Sequence, residues 1–132
     1  LLRERHDTAQ HFTVSAALAA WAGEPVADAI GLWKEIDDMR HSSGFSFADL
    51  AADRAGTRFG QLLATDPEGL RRRLRAPLHD DDFIPRIDDL PEYLDDAKFK
   101  QRFGSVDPKA SPAYAAMQRT IETRLGQLPF YR

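Results

Sequence analysis

The chain has 132 residues, of which 42% are hydrophobic and 30% charged, with a formal net charge of -3 and no cysteine. A chain of this length suits one domain with a buried core, and its acidic balance excludes a general electrostatic attraction to nucleic acid. Without thiols there can be no disulfides, thiolate zinc sites or cysteine nucleophiles, so any metal must be held by oxygen and imidazole ligands.

A first helix is predicted from about Arg3 to Ala22, because Asp7, His11, Val14, Leu18 and Trp21 recur at intervals of 4, 3, 4 and 3 residues and so form one inward-facing stripe. Its weakly polar part, Phe12 to Gly23, is shorter than the roughly 20 apolar residues that cross a bilayer, so no transmembrane segment is expected. Gly23 ends it, and Pro25 suits the first turn of a second helix that carries Val26, Ala29, Ile30, Trp33 and Ile36 towards Arg40. After a break at His41, Ser42, Ser43 and Gly44, Ser46 is expected to cap a third helix reaching about Ala64, with Asp49 in the place of a capping-box acid. A short fourth helix follows Asp66 and Pro67 and ends near Ala76.

From Pro77 to Pro91 the chain is rich in Pro and Asp and is expected to form an irregular strap, held to the body by Phe83, Ile84, Ile87 and Leu90. The cationic run Arg71, Arg72, Arg73 and Arg75 is balanced by Asp80, Asp81 and Asp82, which reads as a tether or solvated face rather than a phosphate site. A short helix over Asp95 to Phe103 and a longer one from Ser111 and Pro112 to Gln127 complete the chain, the latter with a core stripe of Met117, Ile121, Leu125 and Leu128. Phe130 and Tyr131 are expected to dock on the core, the alternative being a hook for a protein partner. No segment alternates as a strand would. The fold class is therefore all-α: an antiparallel helical bundle in a single domain, residues 1–76 forming the helical core and 77–132 the strap and C-terminal helices.

Candidate chemistry concentrates between Asp7 and Gly60. Asp7 and His11 share a helix side, either as a carboxylate that fixes the imidazole tautomer or as a simple i, i+4 hydrogen bond. Gly31, Lys34, Glu35 and Asp38 share one side of the second helix, and taken alone they read as a solvated face. Asp49 and Asp53 share a side of the third with Ala52, Gly56 and Gly60, and a small-residue face of that kind lets another helix approach closely. An acid pair in such a contact requires a cation. Lys34 would give an interhelical lock. A divalent metal on His11, Glu35, Asp38, Asp49 and Asp53 is the other candidate, with Zn, Mn, Fe or Mg compatible with these donors. Metal-free catalysis or ligand binding is the third. His79-Asp80 lies in the strap without metal-site partners, and Gly44-Phe45-Ser46-Phe47 follows no strand, so neither reads as a catalytic motif.

The blocks Asp7-Thr8-Ala9-Gln10-His11-Phe12, Ser15-Ala16, Ile30-Gly31-Leu32, Lys34-Glu35, Asp38 and Arg40, then Gly44-Phe45-Ser46-Phe47 and Asp49 with Asp53 and Gly56, resemble in order and spacing the YfiM-like family of bacterial lipoproteins. The resemblance covers about residues 7–60 and leaves the C-terminal half unmatched. Thr8 stands where the family often has Lys, and Phe47 where it often has Trp. It implies a periplasmic or cell-envelope location, usually through a lipidated cysteine upstream, and carries His11, Lys34, Glu35, Asp38, Asp49 and Asp53 over as motif positions with no assigned activity. A chain that begins at Leu1 rather than Met agrees with removal of an upstream segment; without the resemblance, a cytoplasmic location fits equally. The first functional expectation is a non-catalytic binding or envelope role built on a buried polar network. The alternative is a metal-dependent hydrolase in which His11 is a ligand or acid/base.

Overall fold

Seven α-helices supply nearly all the regular structure of the computed structural model, which describes residues 1–132, and strand pairing is confined to isolated bridges of Leu2 with Arg5 and Phe45 with Leu94. In chain order these are α1 (His6–Ala22), α2 (Glu24–His41), α3 (Phe47–Thr65), α4 (Pro67–Arg73), α5 (Asp80–Phe83), α6 (Asp96–Phe103) and α7 (Pro112–Gln127). Single 3-10 turns occupy Pro108–Ala110 and Pro129–Tyr131. Local chemistry sets most boundaries. Ser46, Asp66, Asp95 and Ser111 each accept a backbone N–H from the first turn of α3, α4, α6 and α7, as good N-caps do.

Some boundaries differ from expectation. α1 starts at His6 and not near Arg3, because Arg3 and Glu4 take positive φ of 50° and 62° in a tight turn closed by Leu2 and Arg5. α4 ends at Arg73 rather than near Ala76, where Arg75 and Ala76 donate only to the carbonyls of Arg72 and Arg73, three residues back. The strap contains one helical turn, α5, with the His79 N–H donating to Asp82 Oδ2.

α3 is the central element and buries residues from Phe47 to Gly60, all but its last turn. On one side it meets α1 almost backbone to backbone: a Cβ added at Gly56 would lie 2.1 Å from the Phe12 carbonyl oxygen, and one at Gly60 2.2 Å from that of Ala16. This contact overturns the stripe predicted for α1. Thr8, Ser15 and Ala19 are the buried residues, whereas Val14 and Trp21 face out. Large side chains have no room beside α3, so the narrow side of α1 turns inward. α2 behaves alike, burying Ala27, Gly31, Glu35 and Met39 while Val26, Ile30 and Trp33 are exposed.

On its other flanks α3 packs on two aromatic groups. Phe45, Phe47 and Phe99 are fully buried, with Phe103 and Tyr114 beside them, Phe45 lying 4.9 Å between centroids from both Phe47 and Phe99. Phe12, Phe59, Phe83 and Phe130 form the other. The strap anchors Ile84, Ile87 and Leu90 are buried, and Phe83 packs on the core from its edge. In α7, Ile121 and Leu125 are buried while Met117 and Leu128 are partly so. The tail docks rather than projecting: Phe130 is buried, and the Tyr131 hydroxyl reaches the carbonyls of Phe83 at 2.7 Å and Ala55 at 3.2 Å.

Candidate functional site

Three helices carry acid and imidazole groups to one place. α3 contributes Asp49 and Asp53 one turn apart, on the side whose other members are Ala and Gly. α1, held close by Gly56 and Gly60, brings His11 and Ser15 against them. α2 contributes Glu35, and Gly31 makes room: a Cβ there would sit 2.9 Å from Asp53 Oδ2. The link before α3 supplies the last polar group. It is pinned to the end of the strap and the residues after it: Phe45 and Leu94 exchange backbone hydrogen bonds of 2.7 and 3.1 Å, and Phe47 N–H donates to the Pro91 carbonyl. Gly44, at φ 89°, allows this approach, since a Cβ would meet the Tyr93 carbonyl carbon at 2.6 Å. So held, the Ser46 N–H donates to Glu35 Oε2 at 2.7 Å.

His11 is the hub. Its Nδ1 lies 3.0 Å from Asp53 Oδ1 and its Nε2 3.5 Å from Asp49 Oδ2, so each ring nitrogen faces a carboxylate. Ser15 donates to the same Asp53 oxygen at 2.9 Å. Burial disfavours the imidazolium, but the hydrogen bond and charge of Asp53, with Asp49 and Glu35 beyond, outweigh it and raise the His11 pKa. Glu35 is pushed up to about 8, chiefly by burial, against the opposing Ser46 N–H and with the help of the Asp49 and Asp53 charges. Burial also raises Asp49, opposed mainly by His11. Without an ion, therefore, Glu35 keeps a proton at neutral pH, and the surrounding carboxylates favour the charged form of His11.

Proton retention still leaves polar atoms without partners. Glu35 Oε1, Asp53 Oδ2 and Asp49 Oδ1 are buried and accept no hydrogen bond, in residues that for Glu35 and Asp53 are only 1% and 5% exposed. The nearest cation to Asp49 Oδ1 is Arg5 Nη2 at 3.9 Å, beyond hydrogen-bonding range. Ligand atoms of His11, Glu35 and Asp53 lie within 4.8 Å of one another. Adjacent ligands held about 2.0 to 2.2 Å from one divalent ion stand roughly 3 to 3.5 Å apart, so closing these three on an ion draws them together by about 1 Å or more.

The other members of the sequence-level cluster lie at its margin. Asp7 is held by Arg5, through Nε at 3.0 Å and Nη2 at 2.6 Å, which lowers its carboxyl to about 2; it does not touch His11. Arg5 also grips Glu92, the residue after the strap, with both Nη atoms. Lys34 pairs with Asp38 at 2.5 Å on the surface, Asp38 also accepting from Ser42 Oγ at 2.7 Å. The acid pair of α3 thus meets His11 and not Lys34, and Asp38 is not among the converging ligands. Sequence reasoning did not assign Ser15 or the Ser46 N–H to the cluster; the run of small residues on α1 was the available signal for Ser15. It also missed Arg54, which ties α3 to Glu24 and Asp28 of α2 and to Glu122 of α7 in a separate ion-pair network.

A cavity of about 480 Å³ opens beside the cluster, between α1 and α2. It is lined by His11, Asp49 and Asp53 of the cluster, by Asp7, Lys34 and Asp38, and by the apolar Val14, Leu18 and Ile30. The chain matches no protein-family model, no curated protein and no solved structure.

Proposed function

We propose that the protein binds one divalent cation at His11, Glu35 and Asp53, with Asp49 at the rim, and that this site underlies a binding role in the bacterial cell envelope. One observation carries the reading: buried carboxylate oxygens of Glu35 and Asp53 lie beside an imidazole with no protein group to satisfy them. An unpaired buried carboxylate is costly, and a cation satisfies several at once. Two carboxylates and one imidazole suit Mn2+, Fe2+ or Zn2+. The envelope location rests on the YfiM-like resemblance of residues 7–60. A second reading, metal-dependent hydrolysis, is supported by the adjoining cavity, since three protein ligands leave an ion positions for water and substrate.

Equilibrium dialysis of chelator-treated protein against Mn2+ or Zn2+ tests the cation reading. One ion per chain is expected, with affinity reduced about 10-fold to 100-fold in Glu35→Gln or Asp53→Asn, both checked for retained helicity. Absence of stoichiometric uptake, or undiminished uptake in both folded variants, overturns it.

A further inference from the structure

The cavity of about 480 Å³ between α1 and α2 is short of positive charge. Asp7, Asp38, Asp49 and Asp53 line it, against one lysine and one imidazole. Two of these acids are settled: Arg5 holds Asp7 through two hydrogen bonds, and Lys34 pairs with Asp38. Asp49 and Asp53 are left with His11, which is divided between them, Nε2 facing Asp49 Oδ2 and Nδ1 facing Asp53 Oδ1. The other oxygen of each, Asp49 Oδ1 and Asp53 Oδ2, is buried and accepts no hydrogen bond. Asp53 is only 5% exposed, and its Oδ2 lies against Gly31, which lines the cavity too and where a Cβ would come within 2.9 Å of that oxygen. Even a charged imidazole leaves this pair of aspartates one positive charge short.

The missing group is therefore one that brings both N–H donors and positive charge. No lining side chain has such a charge free, since Lys34 Nζ is taken by Asp38 and Ser15 Oγ already donates to Asp53 Oδ1. A neutral solute would bring donors without charge, and an anion would add repulsion. A hydrated inorganic ion would turn its water towards Val14, Leu18 and Ile30, which border the same cavity. A primary ammonium carries three N–H donors on a compact charge, and its methylene stem suits an apolar wall. The cavity volume also falls within the roughly 300 to 1,000 Å³ of small-ligand sites. We infer that the cavity binds a primary alkylammonium, its nitrogen between Asp49 and Asp53 and its first methylenes against Val14, Leu18 and Ile30. This seat does not rest on the proposed metal ion; a divalent ion on Asp53 would take the same oxygen, so the two occupants compete.

Isothermal titration of chelator-treated protein with n-pentylamine at neutral pH tests this. One site per chain is expected, about tenfold tighter than for n-pentanol, which has the chain without the charge, and than for ammonium chloride, which has the charge without the chain. Asp49→Asn and Asp53→Asn, each checked for retained helicity, should weaken binding about tenfold. Asp37→Asn, which removes a half-exposed carboxylate of α2 outside the cavity, should leave it unchanged. Nα-acetyl-lysine amide offers the same ammonium on a peptide; binding tighter than that of n-pentylamine assigns the seat to a lysine side chain, and weaker binding assigns it to a free amine. Zinc loading should lower the affinity for the amine, since both use Asp53. No saturable heat, equal affinity for n-pentanol or ammonium, or undiminished affinity in both aspartate variants overturns the inference and leaves the cation reading standing. Amine affinity unmoved by bound zinc overturns it as well. Protein that binds the amine but takes up no zinc overturns the cation reading alone.

Discussion

The approach of α1 to α3 is what assembles the site, and Gly56→Ala is the perturbation that isolates it. The added Cβ would lie 2.1 Å from the Phe12 carbonyl oxygen, 2.8 Å from its carbon and 3.0 Å from the Phe12 Cα. All three are backbone atoms, so no side-chain rotation relieves the clash, and α1 must recede by about 1 Å against close packing. Overpacking of this kind costs about 1 to 3 kcal/mol, and the backbone obstacle puts it near the upper end. Replacing a helical glycine by alanine returns about 1 kcal/mol of propensity, leaving a net loss of about 2 kcal/mol. With a urea m-value of about 1 to 3 kcal/mol/M, the unfolding midpoint should fall by about 1 M. His11 follows Phe12 out, so the 3.0 Å contact to Asp53 loosens too. Gly126→Ala is the control: no heavy atom lies within 4 Å of its Cβ, and its midpoint should stay level or rise slightly. A Gly56→Ala midpoint at or above the wild type would refute the backbone contact.

Glu35, raised to about 8 from 4.5 by burial, keeps a proton in the folded chain across a window where the unfolded chain has lost it. Stability of metal-free protein should therefore fall as pH rises from about 5 to 8, by up to about 1 kcal/mol per unit, and Glu35→Gln should remove that part of the slope. The raised His11 contributes with the same sign, so some slope persists in the variant; urea midpoints giving parallel profiles for the two proteins would contradict the assignment. Tyr131→Phe should cost about 1 to 2 kcal/mol, because its hydroxyl serves the part-buried carbonyls of Phe83 and Ala55, and an unchanged melting temperature would mean the tail is not docked. Lys34→Ala should cost less than about 0.5 kcal/mol, as expected of an exposed i, i+4 pair with Asp38; a loss above about 2 kcal/mol in thermal unfolding would show that Lys34 is wired into the buried cluster.

Much of the fold was legible because its signals are local. The caps at Ser46, Asp66, Asp95 and Ser111 act within one helical turn, and the strap anchors Ile84, Ile87 and Leu90 stand out against a polar background. The face of α3 was legible too, since Asp49 and Asp53 recur with Gly56 and Gly60 at helical spacing. What failed was the choice between two stripes on α1. Val14, Leu18 and Trp21 form the larger apolar stripe, and hydrophobicity alone selects it. Thr8, Ser15 and Ala19 form the narrower one, and that is the one buried.

The selection is made by the partner helix rather than by α1. A glycine pair that brings two backbones together can be matched only by a face equally small, and Ser15, Ala16 and Ala19 are the run on α1 that meets this demand. Read jointly, the two helices specify their contact; read singly, α1 points the wrong way. The identity of the group beside Asp53 depends on the same choice. Lys34 on α2 is nearer in sequence, yet only the inward turn of α1 places an imidazole between Asp49 and Asp53. The same turn leaves Val14 and Trp21 outside, so the buried polar cluster and these exposed apolar side chains are two results of one packing decision.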